Sequence, residues 1–204
     1  MARGIGRSIQ SRSELRSFLI VTNGALTEHS YLSTLRRRMR KSKSLRKSVS
    51  MSIQVIESDP MTLLRKVTAP KANNSDYDEI WIIVDHDGAD RTEFLGRCAK
   101  KSTKKQKVIG VVSIPCFEVW LVAHYEQIRN YQNQKEAQRH YLRLAGLEQD
   151  KQKSLPENFP WDGIDAACER SRLKGVKLPD VNAQGPCPST TMPHLISALG
   201  LRNT

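Results

Sequence analysis

The chain has 204 residues, enough for one medium domain with a sizeable hydrophobic core. No run approaches the roughly 18 apolar residues of a membrane span, and the opening "MARGIGRSIQSRSELR" lacks the apolar stretch of a secretory leader, so a soluble, cytoplasmic protein with no membrane partner is expected. Thirty-three Lys and Arg against 21 Asp and Glu give a net charge of +12, which favours a polyanionic partner, while four cysteines without C-x-x-C spacing or a nearby histidine pair argue against zinc.

In chain order, residues 15–22 read as a buried strand, 30–39 as a helix and 52–57 as a second strand. Asp59 followed by Pro60 marks a capped helix start. "DEIWIIV" is a third strand, 89–101 a helix, and "KVIGVVS" a fourth strand ending at Ser113. Such near-continuous Val and Ile runs fit parallel strands covered on both faces, so the expected fold class is α/β, a mostly parallel sheet flanked by helices. After Cys116 the pattern turns helical, over 117–126, 134–144, 161–172 and 190–199, with no strong strand and with Ser189 or Thr190 as a cap for the last helix. The expected division is an α/β core over 1–126 and a helical C-terminal part over 127–204 packed on it.

The charge is unevenly spread. From 29 to 56 there is no acid, while "RRRMRKSKSLRK" over 36–47 concentrates the bases Arg36, Arg37, Arg38, Arg40 and Lys41. A second acid-free stretch, 94–117, holds "KKSTKKQK" with Lys100, Lys101, Lys104 and Lys105. Runs of this kind track phosphates by charge without reading bases, which makes DNA or RNA the expected partner; a solvated surface is the plain alternative. The serines of the first run suggest that it begins as helix and ends as a mobile loop.

In open α/β sheets ligands gather at the carboxyl ends of the strands. There the first strand delivers Asn23, Gly24 and Glu28, the third delivers "DHDGAD" with Asp85 and Asp87, and the fourth leads through "IPCFE" to Glu118. Alternate residues of an extended segment project the same way, so Asp85 and Asp87 are expected to face one cation, and hard carboxylate oxygens select Mg²⁺ or Mn²⁺. The plainer reading of each also stands: D-x-D makes turns and helix caps, Asp90 caps the following helix, Glu118 suits a helix start, and His124 is a packed histidine. His86 lies between the aspartates and is expected to point away from them.

Four segments in this order, "FLIVTNGALTEHSYLSTL", "DEIWIIVDHDGAD", "SIPCFEVWLVAHYE" and "PSTTMPHLISAL", resemble the RloB-type family of Toprim-fold proteins. The resemblance implies a Toprim-like α/β core and a divalent-metal nuclease site. It also implies a role in bacterial restriction and anti-phage defence, often beside an adjacent-locus ATPase. A second copy of the chain is a further partner to be tested. Carried over, it assigns Asp85 and Asp87 to the metal-binding D-x-D, Glu28 to the acidic position of the first motif and Glu118 to that of the "PCFE" motif. The departure is Asn23, where Toprim proteins carry a glutamate that acts as acid/base or ligand. An amide cannot take a proton at neutral pH, and Glu28, about one turn beyond the glycine, is the acid positioned to replace it. Two functions follow: a Mg²⁺-dependent nuclease, or a catalytically weakened Toprim protein that senses nucleic acid or regulates a partner ATPase. A purely structural basic adaptor ranks below both.

Overall fold

The computed structural model describes residues 15–148 and 155–202. The opening stretch 1–14, the first residues of the "KSLPENFP" loop, and the side chains of Arg46 and Lys47 in the basic run lie outside the described residues.

Five strands form one sheet in the order β2-β1-β3-β4-β5. Parallel strands β1 (Arg16–Thr22), β2 (Val49–Val55), β3 (Glu79–Asp85) and β4 (Lys107–Ile114) are joined by crossovers through helices. Period-two alternation explains why the central strands β1, β3 and β4 are apolar on both faces. Phe18, Ile20, Trp81, Ile83, Ile109 and Val111 enter one core, while Leu19, Val21, Ile80, Ile82, Val108 and Val112 enter the other. The first core is closed by α1 (Thr27–Lys41), α5 (Glu118–Tyr125), α6 (Gln134–Ala145) and α8 (Met192–Ala198); the second by α3 (Pro60–Val67) and α4 (Thr92–Lys101). This is the α/β class, consistent with a Toprim-like core. No helix among the described residues is long and apolar enough to cross a membrane.

Local chemistry sets the boundaries. Asp59 Oδ1 accepts the Thr62 amide at 3.0 Å with Pro60 in the first turn of α3, and Asp90 Oδ1 accepts the Thr92 amide at 3.1 Å at the start of α4. At Gly110 in β4, an added Cβ would meet the Leu95 side chain at 2.7 Å and the Phe94 ring at 2.9 Å, so the glycine leaves room for these two side chains of α4.

Several expectations need correction. The basic run is not a mobile loop at its end: α1 continues through Lys41, and a short α2 (Leu45–Ser48) follows. Leu35 and Met39 recur at helical spacing on the core side, Leu45 packs partly against the same core, and the cations of the last turn of α1 suit its dipole. Residues 161–172 are not one helix. A tight 3₁₀ turn (Trp161–Gly163) leads into α7 (Ile164–Arg170). The C-terminal part does contain a strand, β5 (Ser189–Thr190), antiparallel to Ser113 and Ile114 of β4. Thr190 belongs to that strand, yet its hydroxyl still accepts the Met192 amide at the start of α8, at 3.3 Å.

Candidate functional site: an acidic cluster at the ends of three strands

Strand order brings the acids together. β1, β3 and β4 are neighbours, with Thr22 in register with Ile83 and Asp85 with Ser113, so their carboxyl ends form one rim. Beyond β1 the chain bends at Asn23 and Gly24 and enters α1, whose first turn carries Glu28. The Gly24 amide donates to Thr22 Oγ1 at 3.0 Å, and the Glu28 carboxyl folds back over the space where a Gly24 Cβ would stand. Asp85 ends β3. Glu118 opens α5 just after β4, and both it and Glu28 are buried.

Burial and neighbouring charge raise three of these carboxylates. Burial, reinforced by the charges of Glu118 and Asp87 and opposed by its own backbone N–H, pushes Glu28 up to about 7. Burial also pushes Asp85 well up, with Glu28, Glu118 and Asp87 adding repulsion, while the Phe117 amide opposes the shift. Glu118 is raised by burial and by Asp87, against hydrogen bonds from the Cys116 thiol and the Gln138 side chain. Asp85 Oδ1 is buried and has no hydrogen-bond partner among the described residues. A buried carboxylate oxygen without a partner is a place where an ion, a water or a proton can sit.

Asp87 does not sit as the extended-chain argument expected. The strand stops at Asp85, and Asp87 enters a left-handed turn at φ 50°, so the two side chains do not project in parallel. Asp87 is half-exposed, 3.9 Å from Arg91. Accordingly, among the described residues no three His, Cys, Asp or Glu side chains converge into a ready metal cradle. The donor set nevertheless fits a hard divalent cation, being all carboxylate oxygen, with an orphaned buried atom and mutual repulsion that a cation would relieve.

Residues that the sequence reading passed over surround the acids. Arg91 Nε donates to the Asp85 carbonyl at 3.0 Å, and its guanidinium reaches toward Asp87. Gln184 Oε1 accepts the Arg91 amide at 2.6 Å, while its Nε2 lies 3.4 Å from His86 Nε2. Arg91 lies one residue past "DHDGAD", but no periodicity marks it, and Gln184 arrives from a loop 93 residues downstream. His124 is a packed histidine: Tyr31 Oη lies 3.2 Å from its Nε2, the Pro160 carbonyl 3.3 Å from its Nδ1, and burial lowers it to about 4.

The basic residues occupy different ground. α1 starts beside the acids and runs away from them, which puts Lys41 about 20 Å along the helix from Glu28. Arg36 and Arg40 lie beside Val49 and Met51 at the start of β2. Lys100 and Lys101 end α4, and Lys104 and Lys105 line a hollow of about 700 Å³ with Arg16, Asp78 and Lys107 at the amino ends of the strands. Arg38 is engaged with Asp162 at 2.9 Å.

None of the curated proteins or solved structures compared with the chain matches it. A family model described as RloB-like protein matches residues 18–199, from β1 to the end of α8. With nearly all of its described fold inside that match, the chain belongs to the RloB-like protein family.

Proposed function

We propose that this protein is a divalent-metal-dependent nuclease of the RloB/Toprim type, hydrolysing phosphodiester bonds of DNA or RNA in anti-phage defence. The observation that carries the reading is the meeting of Glu28, Asp85, Asp87 and Glu118 at the ends of β1, β3 and β4, where burial and neighbouring charge raise the proton affinity of Glu28, Asp85 and Glu118. Asp85 and Asp87, with Glu28 and Glu118 beside them, would hold Mg²⁺ or Mn²⁺. When bound, such an ion polarises a phosphoryl oxygen and neutralises developing charge. Glu28, raised to about 7, is suited to accept and return a proton at its carboxylate near neutral pH, the role an amide at Asn23 cannot fill. Arg91 holds the Asp85 carbonyl and so orients the turn that carries Asp87.

Asn23 and the outward set of Asp87 favour one second reading, a weakened site that binds nucleic acid or an adjacent-locus ATPase as a sensor. The test incubates the full chain with single- and double-stranded DNA and RNA, with Mg²⁺, Mn²⁺ or EDTA, and with and without any ATPase from the same locus. Metal-dependent cleavage that Asp87→Asn abolishes supports the nuclease. Cation binding without cleavage of any substrate under any condition supports the sensor.

A further inference from the structure

α1 has a second face, turned away from the sheet. Ser30, Thr34, Arg37 and Lys41 recur along it at helical spacing, and together with the segment 155–161 they wall a groove of about 300 Å³. Trp161 forms part of the opposite wall, with Glu157 the acid beside it. Trp161 stacks on buried Tyr31 at 4.9 Å between centroids and 29° between planes, and Tyr31 lies one turn beyond Glu28. On Trp161 rests the Arg38 guanidinium, 5.6 Å from the ring centroid and tethered by the exposed Asp162.

We propose that this groove binds single-stranded nucleic acid, with an unpaired base stacked at Trp161 in place of Arg38 and the backbone phosphates running along Arg37 and Lys41. The proposal rests on the nuclease reading above, because the groove follows α1 from Ser30, just past Glu28, out to Lys41 and so would lead a strand toward the acids.

Three features point to this ligand. Aromatic and guanidinium surfaces are the groups on which unpaired bases stack, and a Tyr–Trp–Arg stack ending in a cationic groove supplies both. The exposed cations Arg37 and Lys41 have no ion-pair partner among the described residues, which leaves them free for phosphates, and the hydroxyls of Ser30 and Thr34 offer donors between them and the acids. A duplex hides the faces of its paired bases, whereas an unpaired base in the groove can reach the Trp161 ring. An acidic peptide would satisfy the cations but would leave Trp161 unused.

The three tryptophans allow a direct test. Trp81 and Trp120 are 3% and 0% exposed, whereas Trp161 is only partly buried and is the one a ligand in this groove would touch. Titrating the full chain in EDTA with oligo-dT, oligo-U, a blunt duplex and poly-glutamate should give fluorescence quenching with the first two, absent in Trp161→Phe. Trp161→Ala should weaken oligonucleotide binding about five-fold or more. Because that variant can fail by misfolding, Arg37→Ala with Lys41→Ala, both on the exposed face, provides an independent arm. It should flatten the log–log salt dependence of single-strand binding by about 1.4. Quenching by either oligonucleotide supports the groove. Equal quenching by duplex or poly-glutamate, no Trp161 response, or an unchanged salt slope overturns it. Cleavage measured separately keeps the two ideas apart: a chain that cuts duplex without this response refutes the groove alone, and one that binds strands here without cutting refutes the nuclease alone.

Discussion

Gly24 and Glu28 compete for one space: a Cβ built on Gly24 would lie 2.0 Å from Glu28 Cδ. The glycine is therefore what lets the Glu28 carboxyl fold over the chain and stay buried beside the other acids. Because the clash falls on the far end of a flexible side chain, Gly24→Ala should change urea stability by no more than about 1 kcal/mol while pushing the carboxyl toward solvent. Its proton affinity should fall toward the usual carboxylate range, and divalent-cation binding should weaken about ten-fold. A side-chain NMR titration of Glu28 that is identical in both proteins would refute this coupling.

The raised acids also make stability depend on pH. A group whose folded pKa lies above its unfolded value stabilises fully below the unfolded pKa, and that stability is lost as pH rises through the folded value. For Glu28 the loss runs from the ordinary glutamate value, 4.5, up to about 7 and amounts to something on the order of 3 kcal/mol. His124, buried neutral with its pKa lowered to about 4, has the opposite sign over much of the same window, so the native curve alone does not isolate the acids. The difference between native and Glu28→Gln does. The variant should match the native chain at acid pH and become progressively more stable than it as pH approaches 7. Mg²⁺ should then stabilise the native chain more than the variant and release protons on binding. Parallel native and variant curves would rule out a buried, repelled Glu28.

β1, β3 and β4 were legible because they are buried on both faces, so Ile80 to Val84 reads as an unbroken apolar run whichever core a residue enters; the edge strand β2, only one of whose residues is buried, was expected over 52–57 and found over Val49–Val55. The start of α3 was legible because Asp59 and Pro60 are local chemistry. Strand β5 was not, since two residues become a strand only where β4 offers them an edge. The site divides the same way. Glu28, Asp85, Asp87 and Glu118 stand in recognisable motifs, but their meeting depends on β1 lying between β2 and β3, which no local pattern encodes. The turn that rotates Asp87 outward, and the arrival of Arg91 and Gln184, are tertiary events.

Only Ser113 and Ile114 of β4 pair with β5, and the Asn182 side chain serves the edge upstream. Its Oδ1 accepts the Gly110 amide at 2.7 Å, and its Nδ2 donates to the Val108 carbonyl at 3.3 Å, so a side-chain amide stands in for a neighbouring strand. Asn182→Ala should cost about 1–3 kcal/mol for the orphaned edge, and more for placing alanine at φ 58°, a conformation asparagine tolerates better. Asn182→Gly removes the same hydrogen bonds without the backbone strain and should be the milder of the two. Chemical denaturation that finds both variants as stable as the native chain would remove this edge role.

Enzyme and sensor part company at Asn23. It bends away from the end of β1 immediately before Gly24, on the rim where the acids gather, and it brings an amide where proton transfer asks for a carboxylate. If Glu28 has taken over, the native chain should cleave nucleic acid with Mg²⁺. Asp87→Asn should then abolish cleavage, and Glu28→Gln should lower it by about 10²–10⁴-fold, the usual worth of general acid/base help. Asn23→Ala should cost far less, because the amide carries no proton in the reaction. If the site is weakened instead, the native chain should bind Mg²⁺ without cleaving, and Asn23→Glu should create activity by restoring a proton acceptor at the rim. The same substitution adds a fifth acid to a cluster that already raises its own members, so in the first case it should tighten cation binding and push Glu28 higher still without a matching gain in rate. Compensation is the outcome expected here, because Glu28 is buried against Asp85 and Glu118 and raised to about 7, where an acid/base group works at neutral pH. A native chain inert toward every strand and partner, yet made active by Asn23→Glu, would overturn it.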